Sequence, residues 1–308
     1  MKTIINYSTS GMGNRLRPLS SCYAISKKSG RKLKAYWDNI TTNGCLAKFD
    51  ELFENELDII SLNELGELKD CLLLTESGGP GHGIERESIK FGRTTLKELS
   101  KSNPYRHYES FSYDDKQNNI IIYHNNFLPT VDKKDSEEFL LNLKPIKKIQ
   151  DKIDHYVDEL GLNKNVIGIH ARGTDFGTRI VDYVNAIKKV LNDNPSQKFF
   201  LSTEDPDYES MLTEIFQDNI IIRKKENYIV RPDVNKAWND HTSFSITTEV
   251  AQEGVEDIYL LAHTNILIYH PMSSFAEISR IISKKLDYIN IDIIFLQNLY
   301  QLFTRKTQ

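Results

Sequence analysis

The segment "HARGTD", His170 to Asp175, sets an imidazole, a guanidinium and a carboxylate close together directly after an apolar run. A guanidinium offers a planar fork of donors that matches phosphate oxygens. Three other clusters have comparable chemistry. "STEDPD" brings Glu204 and Asp205, which with Asp257 are acceptors able to read ribose hydroxyls or base N–H groups. "HPMSSF" puts Ser273 and Ser274 at the opening of a helix, where anions are favoured. "STSGMGNR" supplies Gly11, Gly13, Asn14 and Arg15.

Each cluster alone is weak. "GMGNR" has neither the full glycine fingerprint of a dinucleotide site nor the Lys-Ser/Thr of a phosphate loop. A Gly-rich turn is usually a turn, a single histidine at a strand end is usually a satisfied core residue, and Ser273 or Ser274 can cap a helix. All four clusters, however, follow predicted strands. In open parallel sheets, ligands sit outside the carboxyl ends of the strands. An arginine, a helix start and nearby acids at one such edge describe a nucleoside diphosphate pocket.

The elements that must position these residues alternate. Thr3–Tyr7 reads as a strand, Met12, Leu16, Leu19 and Tyr23 recur at helical spacing, Gly30 supplies a stop, and Leu33–Trp37 reads as a second strand. Leu57–Ile60, Cys71–Leu74 and Ile120–Tyr123 are further candidate strands. Ser77–Asn119 has little periodicity and reads as an inserted loop or lid, with a short helix at Thr94–Ser100. From Ile146 the alternation resumes: helix to Leu160, strand Val166–His170, helix Asp182–Leu191, strand Phe199–Thr203, helix Tyr208–Phe216, strand Ile220–Ile222, helix Thr247–Ala262, strand Ile266–His270 and a helix near Ala276–Leu286. This predicts α/β architecture with doubly wound parallel sheets. Two units are expected, 1–143 and 144–308, with a cleft between them.

Composition narrows the function. The 308 residues carry a net charge of -4 with 27% charged and 39% hydrophobic residues, an ordinary balance that gives no sign of a nucleic-acid surface. Lys147-Lys148 and Lys188-Lys189 read as solvated helix faces, and Asp114-Asp115 as solvated loop. Cys22, Cys45 and Cys71 have no zinc-like spacing and fit a reducing compartment. The N-terminal apolar run is short for a signal peptide, and no run reaches the roughly 20 apolar residues of a spanning helix. The expected location is cytoplasmic, with peripheral membrane contact by the aromatic and basic tail "NIDIIFLQNLYQLFTRKTQ" left open. No metal-ligand pattern accompanies the four clusters. Arginine and helix-end donors would then neutralise a leaving pyrophosphate, which favours glycosyl transfer over magnesium-dependent phosphoryl transfer.

"IGIHARGTD" resembles the HxRxxD motif of the inverting, GDP-fucose-dependent fucosyltransferases, and is most similar to the α1,6 group of nodulation-factor and core fucosyltransferases. "GMGNRLRPLSSCYAISKKSGRKLKAYW", "FFLSTEDP" and "GVEDIYLLAHTNILIYHPMSSF" resemble further segments of that family, in the same order. The resemblance implies a GT-B fold with two Rossmann-like domains, the N-terminal facing the acceptor and the C-terminal holding GDP-fucose. It implies that Arg172 binds the β-phosphate, that His170 lies against the nucleotide, that Asp257 contacts guanine, and that Ser273 and Ser274 help hold the diphosphate. Glu204 and Asp205 match the family's acidic pair, and Gly11, Gly13, Asn14 and Arg15 its loop near the transferred sugar. Two positions depart: Gly173 stands where a second arginine is usual, and Arg179 is nearest the usual glutamate, leaving Asp175 or Asp182 as the acid that takes the acceptor proton. The expected activity is metal-independent, inverting transfer of fucose from GDP-fucose to a glycan hydroxyl in polysaccharide assembly, with no cofactor beyond the donor substrate. The alternatives are a same-fold transferase using another nucleotide sugar and a catalytically silent glycan- or nucleotide-binding protein.

Overall fold

The computed structural model describes residues 2–8, 11–37, 45–75, 95–172, 180–227 and 247–284. The chain divides into two compact units, Met1–Lys144 and Pro145–Gln308.

The N-terminal unit opens with strand β1 (Thr3–Ser8), helix α1 (Met12–Ser29) and strand β2 (Lys32–Trp37). Helix α1 ends because Gly30 takes the left-handed conformation, φ 66°, which costs a glycine no Cβ clash. Then come α2 (Leu62–Glu67), β3 (Cys71–Thr75), α3 (Thr95–Ser102), β4 (Tyr105–His107), β5 (Asn119–Tyr123) and α4 (Lys133–Leu141). The sheet is parallel throughout, in the order β2-β1-β5-β3-β4. Its inner strands are apolar on both faces, as helix-covered parallel strands must be; Ile4, Ile5, Leu72, Leu74, Ile120 and Ile122 are almost fully buried.

Three expectations need correction here. Leu57–Ile60 is no strand; it meets β2 through one parallel bridge, Ala35 to Ile59. The polar stretch before Asn119 holds an edge strand, β4, which among the described residues pairs with β3 alone. Asp115 is not a solvated loop acid: it accepts from Arg106 at 2.5 Å, and its carbonyl accepts from the buried Arg31 at 2.6 Å. The segment "SGGPGHG" lies outside the described residues, as does the tail from residue 285.

The C-terminal unit runs α5 (Lys147–Glu159), β6 (Ile167–Ala171), α6 (Ile180–Asp193), β7 (Phe199–Thr203), α7 (Pro206–Phe216), β8 (Ile220–Ile222), α8 (Thr248–Ala262), β9 (Ile266–Tyr269) and α9 (Ser274–Ser283). These bounds lie close to those expected from periodicity. The sheet is parallel, in the order β8-β7-β6-β9. Gly168 sets its closest approach. A Cβ there would stand 2.5 Å from both Leu267 Cδ2 and Thr264 Oγ1, so only glycine lets β6, β9 and the end of α8 close on one another. Among the described residues no helix is long and apolar enough to cross a membrane.

Candidate functional site

The connection order of the C-terminal sheet points to one crevice. From the central β6 the chain moves outward through β7 and β8, then returns to place β9 on the other side of β6. The order therefore reverses between β6 and β9, and such a reversal opens a crevice at the carboxyl ends. His170 stands at the end of β6, Arg172 follows it, and Ser273 and Ser274 open α9 just after β9. Residues 103 positions apart thus meet: His170 Nδ1 lies 3.1 Å from Ser273 Oγ, and the imidazole stacks on Phe275 at 4.8 Å between centroids, with 13° between planes.

Ser273 also caps the helix, its Oγ accepting the Ala276 N–H at 3.2 Å. The capping role foreseen for the serine pair is thus met by Ser273, which at the same time fixes His170. Ser274, also buried, is the first residue of α9. Burial, helped by the Arg172 guanidinium and the Lys225 ammonium, pushes the His170 pKa down to about 3, so the ring is neutral at physiological pH. The backbone N–H of Arg172 donates to the hydroxyl of the fully buried Tyr183 at 3.0 Å, anchoring the chain where it leaves the strand.

Asp257 lies on α8, and β7 supplies one of its partners. Ser202, which pairs with His170 in the sheet, donates to Asp257 Oδ2 at 2.9 Å. Arg223, just beyond β8, donates to Oδ1 through Nε at 3.1 Å and Nη2 at 2.8 Å. Lys225 Nζ is 2.7 Å from Oδ2. Four donors thus fill both oxygens. Although burial alone would raise it, the Arg223 and Lys225 charges hold the Asp257 carboxyl well below the usual carboxylate range. Arg223 is itself buried, 2.9 Å from Glu256 Oε2, and lies over the Tyr156 ring at 5.6 Å. Burial works against its charge, but Asp257, Glu256 and Glu253 keep it firmly protonated. Burial raises the Glu256 pKa, against the pull of Arg223 and of Lys152 at 3.4 Å.

The remaining candidates take other positions. Asp205 caps α7, its Oδ1 accepting the Asp207 N–H at 3.0 Å. Glu204 is half-buried at the end of β7. Asp182 is half-buried in the first turn of α6, where a carboxylate also complements the helix dipole. Asp175 lies outside the described residues. In the N-terminal unit, Gly11 and Gly13 open α1 after β1, and Asn14 Oδ1 accepts from Arg17 at 2.9 Å. Arg15 is fully buried, its guanidinium 5.1 Å from the Trp37 ring centroid and within 3.5 Å of the Cys45 carbonyl. Among the described residues no group of three or more His, Cys, Asp or Glu side chains is placed to hold a metal ion.

Phe275, Tyr183, Ser202, Arg223 and Lys225 were not among the sequence candidates. The sign for the last two was available: "RKKE" begins directly after the apolar run Ile220–Ile222, at the same sheet edge as the other clusters.

Comparison with known proteins shows the fold. No family model and no curated protein matches this sequence. Among solved structures, NodZ alpha-1,6-fucosyltransferase soaked with GDP-fucose aligns over 92% of this chain and 93% of that chain, with 18% identity and a TM-score of 0.60. A structure of fucosyltransferase NodZ from Bradyrhizobium aligns over 91% of this chain and 93% of that chain, with 18% identity and a TM-score of 0.60. POFUT1 in complex with GDP-fucose aligns over 91% and 93%, at 9% identity and TM-score 0.52. A variant of Arabidopsis thaliana FUT1 in complex with GDP aligns over 91% of this chain and 68% of that one, at 13% identity and TM-score 0.52. The chain has their fold. It is GT-B, with two Rossmann-like α/β units, each built on a parallel sheet.

Proposed function

We propose that this protein is an inverting, metal-independent fucosyltransferase that moves fucose from GDP-fucose to a glycan hydroxyl. One observation carries the reading: His170, Arg172 and the capped start of α9 converge at the β6/β9 reversal. A neutral imidazole, a guanidinium and helix-end N–H groups suit a nucleoside diphosphate there. The fold matches, several of which hold GDP or GDP-fucose, support the choice of donor.

In this reading the acceptor oxygen bonds to the anomeric carbon as the bond from that carbon to the β-phosphate oxygen breaks. Asp175 or Asp182 takes the acceptor proton. GDP leaves with the electron pair, and Arg172 with the α9 N-terminus stabilises its growing charge. The N-terminal unit serves the acceptor and the C-terminal unit the donor.

A second reading, a same-fold transferase using another nucleotide sugar, is favoured by one fact. The Asp257 carboxylate already receives four protein donors, so a guanine N–H has to displace one of them. Thermal shift with GDP, UDP and ADP separates the two, followed by transfer from the matching sugar nucleotide in excess EDTA. Stabilisation by GDP and EDTA-resistant fucose transfer are expected. Stabilisation by UDP alone would replace the donor, and binding with neither transfer nor donor hydrolysis would reduce the protein to a binding module.

A further inference from the structure

Lys225 occupies an unusual place for a lysine. Its side chain is only 10% exposed, and its ammonium is held at two points, 2.5 Å from the Thr203 carbonyl oxygen and 2.7 Å from Asp257 Oδ2. Thr203 is the last residue of β7, and its sheet partner is Ala171, the residue before Arg172. The ammonium is therefore held at the carboxyl end of β7, the strand beside the one that leads into Arg172, and neighbouring strand backbones lie about 5 Å apart. Both cations depress the pKa of His170, which lies at the same edge. An ammonium has three N–H donors, and the described residues occupy two.

We propose that Lys225 is a second phosphate-binding cation of this edge, held in place by Asp257 and the Thr203 carbonyl and using its remaining N–H on the diphosphate that Arg172 grips. The assignment rests on the nucleoside diphosphate reading above. It gives Asp257 a task besides any contact with the base. Asp257 is a positioning residue: its Oδ1 takes the buried Arg223, and its Oδ2 holds the Lys225 ammonium at the strand end. Arg223 also stands among Glu253 and Glu256, whereas the only carboxylate paired with Lys225 among the described residues is Asp257. Lys225 is thus the more available cation of the two.

The test compares affinities for a nucleoside diphosphate and its monophosphate by calorimetry on the full chain. Lys225→Met should lower the ratio of GDP to GMP affinity roughly tenfold, the scale of one charge-assisted hydrogen bond. Lys225→Gln, which keeps a donor for Thr203 and Asp257 but no charge, should do the same. Lys224→Met, on the exposed neighbour, should leave the ratio unchanged. Equal losses for GDP and GMP in both Lys225 variants would mean that Lys225 only supports the fold, and the proposal falls. An unchanged ratio with unchanged affinities overturns it as well. If the wild-type protein prefers UDP, the guanine reading fails while the same ratio is measured with UDP and UMP. If no nucleoside diphosphate binds, both fail.

Discussion

Near the carboxyl end of the N-terminal sheet, Tyr36, Tyr7 and Tyr123 stand in register across three strands. At the corresponding level of the C-terminal sheet stand Ser202, His170 and Tyr269. The first row packs on itself: Tyr7 stacks on Tyr36 at 4.7 Å and meets Tyr123 edge-on at 5.6 Å. The second reaches outward, Ser202 to Asp257 and His170 to Ser273. The arginines differ in the same way. Arg15 lies buried against an indole, while Arg223 lies buried among three carboxylates. A parallel sheet supplies a ligand edge by topology alone, but individual side chains decide whether that edge closes into core or stays polar enough for an anion. The aromatic row is core, with Tyr7, Tyr36 and Tyr123 all buried, whereas the ionic row lies at the proposed donor edge.

That contrast can be broken at its most ionic point. Arg223→Met leaves Glu253, Glu256 and Asp257 with one buried cation fewer, and should destabilise the C-terminal unit by about 3–5 kcal/mol. Chemical denaturation followed by a C-terminal probe measures this. A loss under about 1 kcal/mol would show that the carboxylates are neutral or hydrated instead.

The arginines sharpen the comparison at the next level. Arg172→Lys should retain the fold yet lose roughly 10²-fold in turnover, because an ammonium cannot reproduce the paired donors on a departing phosphate. Arg15→Lys should do the reverse, costing about 1–2 kcal/mol of stability through the lost stacking on Trp37, with turnover per folded molecule nearly kept. Melting temperature and turnover on the same samples give both numbers. Near-wild-type turnover in Arg172→Lys rejects the phosphate role.

A further effect is a pH dependence. His170 has a folded pKa of about 3, below its ordinary value of about 6.5 in the unfolded chain. Between those values the unfolded chain binds a proton that the folded chain does not. Stability therefore falls as pH drops through this window, by up to about 1.4 kcal/mol per pH unit from this site. His170→Gln removes that slope. Denaturant titrations of both proteins at pH 7 and pH 5 check it, and parallel slopes would place the ring in water.

How much of this was legible in the sequence depends on the range of the interactions. Strands β6, β7 and β9 stand out because each is an apolar run followed by a turn, and both signals are local. Helix α4 and strand β4 do not, since Lys133–Leu141 is rich in charge and Tyr105–His107 has only three residues, at a sheet edge. Leu57–Ile60 has a strand's composition but finds a single bridge. The candidates at strand ends were readable because topology gathers such ends. Their partners were not, because Asp257 meets Arg223 across 34 residues and Ser202 across 55. Arg15 shows the same gap: a polar residue beside two glycines reads as a loop, and only tertiary packing puts it under Trp37.

Gly168 has a consequence in time as well as in space. With no side chain to act as a compressible spacer, β6 touches Leu267 and Thr264 directly, and β6 cannot shift without the end of α8 and the start of β9. Strand, helix end and neighbouring strand then open as one cooperative unit. Amide protons at Ile169 and at Leu261 should accordingly exchange with a common opening free energy, and the carboxylate of Asp257, one helical turn before Leu261, should fluctuate with the strand that carries His170.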